Sequence, residues 1–163
     1  MVLKQIQTFG RPLYLTFPMD LTELSTYTLK LPVSQIEFYL KIVQRLSISI
    51  DMNEELYFIA NALTSNEEEV GLVLGEKVLY IVYLSMVCED PEVLRMIAYQ
   101  DICGLDYDIR PYSLEPLQNK GSIIINFKNA SLPSVQFREI PSEDMQMMID
   151  ILNDQIYIHC LVE

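Results

Sequence analysis

Leu56 to Val87 reads LYFIANALTSNEEEVGLVLGEKVLYIVYLSMV, and the fold class turns on this stretch. Leu56 to Leu63 is rich in strand formers, and Ser65, Asn66, Glu67, Glu68 and Glu69 make a polar turn. Val70 to Leu74 is a second strand, Gly75, Glu76 and Lys77 a tight turn, and Val78 to Val87 a third strand. Strands this close in sequence, joined by short polar turns, pair as antiparallel neighbours. A β-meander is therefore the expected centre of the domain.

Downstream, residues 90–103 read two ways. Asp90 and Pro91 resemble an N-cap and a first helical residue, while Arg95 to Ile102 reads as a strand ending in a turn at Asp101. Leu105 to Ile109 is a further strand, and Pro111 to Lys120 a polar loop. Ser122 to Phe127 and Val135 to Phe137 are short strands around a turn through Asn129 to Pro133. Pro141 then precedes Ser142, a favourable N-cap, with Glu143 and Asp144 in the first turn, where the helix dipole favours anions. Met145, Met148, Ile149, Leu152 and Ile156 recur at helical spacing. The helix is expected over residues 142–154, followed by a terminal strand from Ile156 to Val162.

Upstream, residues 2–17 alternate around a turn at Gly10, Arg11 and Pro12, which suggests two short strands. Residues 20–31 are ambiguous: Asp20, Leu21, Thr22 and Glu23 suit a helix start, while Thr26 to Leu31 (TYTLKL) alternates like a strand. Ser34 and Glu37 form a capping-box pattern, and Ile36, Tyr39, Leu40, Val43 and Leu46 follow as an apolar stripe. A helix over 34–46 is expected to pack on the core. Residues 1–50 then form an amino-terminal strand and helix extension, and residues 51–163 the main β domain.

Length and composition set outer limits. A chain of 163 residues with half of them hydrophobic suits one packed domain. Twenty-three acidic residues against eleven basic ones give a formal charge of −12. Such a surface repels phosphate backbones and anionic headgroups, which weighs against direct nucleic-acid or membrane binding and favours basic protein partners. The three cysteines, Cys88, Cys103 and Cys160, have no framework spacing. The first seventeen residues lack a signal-peptide pattern, and Val78 to Val87 is too short to span a bilayer. A cytoplasmic setting is expected.

The order of elements resembles bacterial pleckstrin-homology-like domains over about residues 50–155. ELYFIANA followed by GLVLGEKVLYIVY is similar to that family's early hairpin. RMIAYQDICGLDYD is similar to its later segment, and GSIIINF with FREIPSEDMQMMIDIL to its last strands and capping helix. The resemblance implies an α+β fold: an antiparallel β-barrel or sandwich capped by a carboxy-terminal helix. It implies a strand at Arg95 to Tyr99, and a binding scaffold without enzymatic activity. The family commonly has Thr, a polar residue and one or two basic residues at the tight turn. Gly75, Glu76, Lys77 and Val78 stand there in this chain, and the single cation argues against carrying over anionic-lipid binding.

Few residues suggest chemistry. His159 is the one histidine and adjoins Cys160; on a strand the two side chains would point to opposite faces, which opposes a nucleophile pair. The cysteines are expected to be buried and structural. No CxxC, HExxH, calcium-loop or glycine-rich phosphate motif occurs. Asp101, Asp106 and Asp108 are close in sequence but read as solvated edge charges. No cofactor is expected.

The acidic run from Asp51 to Glu76, seven acidic residues with no basic one, is the main functional hint. Glu67, Glu68, Glu69 and Glu76, with Tyr107 and Tyr112 beside a polar loop, are the candidate partner-binding residues. Tyr57, Tyr80, Tyr83 and Tyr99 read as core and rim packing. Met145 and Met148 match the core stripe of the last helix, and Met147 points elsewhere, as an adaptable contact would. The sequence thus favours a non-enzymatic, regulatory protein-interaction domain that engages a basic patch on another protein. An acidic inhibitor that mimics nucleic acid is the alternative, a small hydrolase or thiol enzyme a weaker third, and homo-oligomerisation is left open.

Overall fold

The computed structural model describes residues 9, 15–84, 93–109 and 120–160. Two helices, α1 (Leu21–Thr28) and α2 (Val33–Ser47), precede a four-strand meander: β1 (Phe58–Thr64), β2 (Glu69–Leu74), β3 (Val78–Tyr83) and β4 (Leu94–Ala98). A 3-10 turn at Tyr99–Asp101 leads to a second meander, β5 (Ile102–Ile109), β6 (Lys120–Phe127) and β7 (Val135–Pro141). The long helix α3 (Ser142–Cys160) closes the order. All seven strands belong to one antiparallel sheet in the order β4-β3-β2-β1-β7-β6-β5. β1 and β7 join the halves through only Leu63↔Arg138 and Thr64↔Phe137.

The sheet cannot be flat. Its two outermost strands, β4 and β5, are joined by three residues. Seven strands laid side by side would separate them by roughly 29 Å, whereas the link from Ala98 to Ile102 reaches at most about 14 Å. The sheet therefore wraps around on itself, although β4 and β5 do not hydrogen-bond into a closed barrel. This open, wrapped sheet with a carboxy-terminal helix is the pleckstrin-homology-like architecture that the sequence resemblance implies.

Wrapping gives the sheet an inside and an outside, and β1 to β3 are apolar on both. Inward-facing Phe58, Ala60, Ala62, Val70, Leu72, Leu74, Leu79 and Ile81 pack with Phe137 and with Met145, Met148, Ile149 and Leu152 of α3. Outward-facing Ile59, Val73, Tyr80 and Val82 pack beneath Leu21 and Leu24 of α1 and Phe38, Tyr39, Ile42 and Leu46 of α2. This explains why these strands read as continuous apolar runs rather than as an alternation. At Gly71 an added Cβ would lie 2.6 Å from Ile42 Cδ1, so the glycine lets α2 approach β2 closely.

The structure corrects several local expectations. Within residues 20–31, Leu21–Thr28 form a helix: the Asp20 carboxylate accepts from the Glu23 amide at 2.8 Å, and Leu21, Leu24 and Thr28 are buried on one face. That local cap outweighs the alternation of TYTLKL. Helix α2 starts one residue before Ser34, with Pro32 at the N-cap and no side-chain cap, so the capping box does not form. Its buried face is Phe38, Tyr39, Ile42, Arg45 and Leu46, rotated from the predicted stripe. Ser142 is a helical residue rather than a cap, and its buried hydroxyl has no hydrogen-bond partner among the described residues.

The largest correction concerns the carboxy terminus. Ile156 to Cys160 continue α3, and no terminal strand forms there; Leu161 and Val162 lie outside the described residues. Ile156 packs against the inner core, and the His159 ring stacks on Tyr99 at 5.6 Å. These tertiary contacts hold β-branched residues in a helix against their local preference. Most of the expected amino-terminal strands, Met86, Val87, Cys88, the 90–91 turn and most of the 111–120 loop also lie outside the described residues.

Candidate functional site

Two features adjoin at one end of the sheet. The first is built on the β2–β3 turn. Gly75 donates its amide to the Val78 carbonyl at 3.0 Å, and a Cβ there would lie 2.6 Å from the Tyr80 ring and 3.3 Å from Glu54 Oε2. The glycine thus makes room for the Tyr80 hydroxyl, which donates to Glu54 Oε2 at 2.7 Å. Glu76 Oε1 accepts from the Glu55 amide at 3.2 Å. The end of α3 is tied to the same turn. Tyr99, fully buried, donates its hydroxyl to the Gly75 carbonyl at 2.8 Å, and His159 Nε2 lies 2.9 Å from the Glu76 carbonyl oxygen.

Negative charge accumulates here. Burial pushes the Glu54 carboxyl above its ordinary range; the Tyr80 hydrogen bond opposes this, and the like charges of Glu76 and Asp51 add to it. Burial likewise raises the phenols of Tyr57, Tyr80 and Tyr99, with Glu54 contributing to all three. A carboxyl whose folded-state pKa exceeds its unfolded one costs stability above the folded value. The cost disappears as pH falls through that value towards the ordinary carboxylate range. Glu54→Gln keeps an acceptor for Tyr80 without the charge. Its melting temperature is expected to exceed that of the parent at pH about 8 and to match it at pH about 4. Melting curves across this range check the sign, and an unchanged difference at both ends would contradict it.

The second feature is an open groove of about 350 Å3, lined by Phe17, Pro18, Tyr57, Met147, Ile151 and Asp154 among others. Phe17 and Pro18 form one wall, joined by a cis peptide bond. Phe17 leans on Phe58 at a ring separation of 5.6 Å. Met19 pairs with Leu56 in both directions, at 3.1 and 2.7 Å, and thereby holds this segment beside β1. The opposite wall is the outer face of α3, where Met147 and Asp154 are exposed and Ile151 is half-buried. Tyr57 belongs to both features, because it lines the groove and senses Glu76, Glu55 and Glu54.

The predicted site residues do not form one surface. Glu76 joins Glu54 and Glu55, whereas Glu67, Glu68 and Glu69 lie at the far end of β2, roughly 20 Å away. Tyr107 is exposed on β5, at the edge of the sheet, and Tyr112 lies outside the described residues. Neighbouring Asp106 accepts from the Asn126 amide at 2.8 Å. Glu54, Tyr57 and the groove were not legible as a site; the one signal was Met147, which points away from the core and is exposed.

Part of the acidic hairpin tip has a structural partner. Glu67 has a φ of 64° and pairs with Arg138 at 2.7 Å. Glu67→Ala keeps the left-handed backbone and loses the exposed pair, at an expected cost below about 1 kcal/mol. Glu67→Gly loses the pair but relieves a backbone penalty of about 1 kcal/mol. The glycine variant is therefore expected to be the more stable of the two by about 1 kcal/mol in urea titrations. Equal midpoints would mean that the positive φ carries no cost.

The residues considered for chemistry are dispersed. His159 and Cys160 lie on a helix, so they sit about 100° apart around its axis and still face differently, although for another reason than the strand geometry expected. Cys103 is exposed, contrary to the expectation of burial, because it projects outward from β5; Cys160 is partly buried. Among the described residues no group of three or more His, Cys, Asp or Glu converges as a metal would require, and no helix is long and apolar enough to cross a membrane.

No protein-family model matches the chain, and no curated protein matches it. The solved structures similar to it include two of known source. One is the FERM and C-terminal domain complex of Drosophila Merlin, with a TM-score of 0.49 and 16% identity over 75% of this chain and 34% of that one. This chain thus spans about a third of the Merlin chain's length. The other is a pleckstrin homology domain from Shewanella amazonensis SB2B, with a TM-score of 0.45 and 16% identity over 74% of this chain and 96% of that one. Likeness at this identity bears on fold alone, and the architecture rests on strand order, wrapping and the final helix. In these respects the chain resembles pleckstrin-homology-like domains.

Proposed function

We propose that this chain is a non-enzymatic interaction module that takes a basic segment of another protein on its acidic face at Glu54, Glu55 and Glu76. One observation carries the reading. Glu54 is held partly desolvated beside Glu76 and Asp51, and Lys77 is the cation that offsets them. Like charges gathered at a turn cost stability when unpartnered, and an incoming Lys or Arg would relieve that cost. A net charge of −12 would also draw a basic partner in and speed its association. The module needs no cofactor, and the reading places it in the cytoplasm.

The test is a fluorescence titration with a labelled Lys- and Leu-containing peptide, and with a Glu-containing peptide of equal length, at about 0.05 M and 0.5 M salt. The basic peptide is expected to bind, to lose about tenfold in affinity at the higher salt, and to bind Glu54→Gln/Glu55→Gln/Glu76→Gln more weakly. Equal binding of both peptides, or binding indifferent to the triple change, would defeat the proposal.

A further inference from the structure

The groove beside the acidic end has a composition that selects what fills it. Its walls are apolar at Phe17, Pro18, Met147 and Ile151, and its volume of about 350 Å3 lies at the lower end of the range for ligand pockets, roughly 300–1,000 Å3. That leaves room for one or two large side chains. The groove is open rather than enclosed, so it offers a long ligand a trough instead of hiding a small one. On α3, Met147, Ile151 and Asp154 follow at spacings of four and three, which puts them on one helix face. Ile158, also exposed, extends this face by one turn.

Charge decides the ligand class. Asp154 has no hydrogen bond or ion pair among the described residues. Tyr57, which also lines the groove, lies within the field of Glu76, Glu55 and Glu54. An apolar trough bordered by carboxylates disfavours a phosphate or a lipid headgroup, and matches a chain segment that combines apolar and cationic side chains.

We infer that this groove is the seat of an amphipathic basic segment of a partner protein. The segment sets a Leu-, Ile-, Met- or Phe-type side chain between Phe17 and Met147, and a Lys or Arg against Asp154. This rests on the interaction-module reading above and adds the anchoring site and the pattern recognised. Apolar burial in the trough supplies affinity, and the flanking carboxylates supply selection and approach rate.

The test is selection of twelve-residue peptides from a random displayed library on the whole chain, followed by titration of the winners. The selected sequences are expected to place Lys or Arg within four residues of a large apolar residue. Their affinity is expected to fall roughly tenfold or more in Met147→Glu and in Asp154→Lys, and less than about twofold in Glu68→Gln at the opposite end of β2. Met147 and Asp154 are exposed, so both variants should fold, and circular dichroism melting verifies this. Winners that bind Met147→Glu and Asp154→Lys like the parent, yet are lost in the Glu54/Glu55/Glu76 variant, would overturn the groove and leave the module reading intact. Winners without basic residues would defeat both. A concentration-dependent dimer in sedimentation that Met147→Glu abolishes would overturn the inference by making a second copy the occupant.

Discussion

Replacing Tyr99 by Ala is expected to lower the unfolding free energy by about 3–5 kcal/mol, the range for deleting a large buried aromatic side chain. Tyr99 sits in the three-residue link between the outermost strands of a sheet that must wrap to bring them together. It is fully buried, packs in the inner core, bonds the Gly75 carbonyl at 2.8 Å and stacks on His159 at 5.6 Å. One side chain thus joins the link, the β2–β3 turn and the last turn of α3. For a chain of this size the change corresponds to a fall in melting temperature of roughly 6–20 °C. Tyr99→Phe keeps the ring and loses only the hydroxyl, so its cost should be about 1 kcal/mol. Urea titrations of both variants separate ring from hydroxyl; similar midpoints for Tyr99→Ala and Tyr99→Phe would show that the ring contributes little.

The second large effect is expected at Ile42, whose truncation to Ala should cost about 2–5 kcal/mol. Ile42 is fully buried between α2 and the outer face of the sheet, and its Cδ1 lies where a Gly71 side chain would begin. Gly71→Ala alone should destabilise by about 1–3 kcal/mol through overpacking. In the Ile42→Ala background the same methyl enters the space left behind, and its cost should vanish or reverse. Additive effects in this cycle would mean that the helix does not press on β2 as described. We further propose that residues 1–50 unfold together with residues 51–163, so that Ile42→Ala shifts one shared transition rather than an early partial one.

The sequence disclosed the parts of this fold that are decided locally. The GEK turn between two apolar runs, the start of the last helix at Ser142 and the long apolar strands were legible because each rests on neighbouring residues. The end of α3 was not. Asn153 to Gln155 resembles a break, and only the packing of Ile156 and the stacking of His159 on a residue sixty positions earlier keep the helix going. The candidate site shows the same division. Acidity between Asp51 and Glu76 was visible as a run, yet β2 carries Glu67–Glu69 and Glu76 to opposite ends of a strand. What gathers around Glu76 comes from elsewhere: Tyr80 from across the turn, His159 from the last helix, and the groove from residues 16–18, 57 and 147–155. No local pattern encodes such a surface, because its members meet only once the sheet has wrapped.

Strand β1 is buried along its whole length, with Phe58, Ala60 and Ala62 in the inner apolar cluster and Ile59 in the outer one. Its amides are therefore shielded by two packed layers, and neither layer can loosen alone and free both sides of the strand. Deuterium should enter Ala60 and Ala62, whose amides face β2, only through complete unfolding, and at the slowest rates in the molecule. The same strand then serves as an internal clock, since whatever binds elsewhere and stabilises the native state will slow exchange there by the full binding free energy.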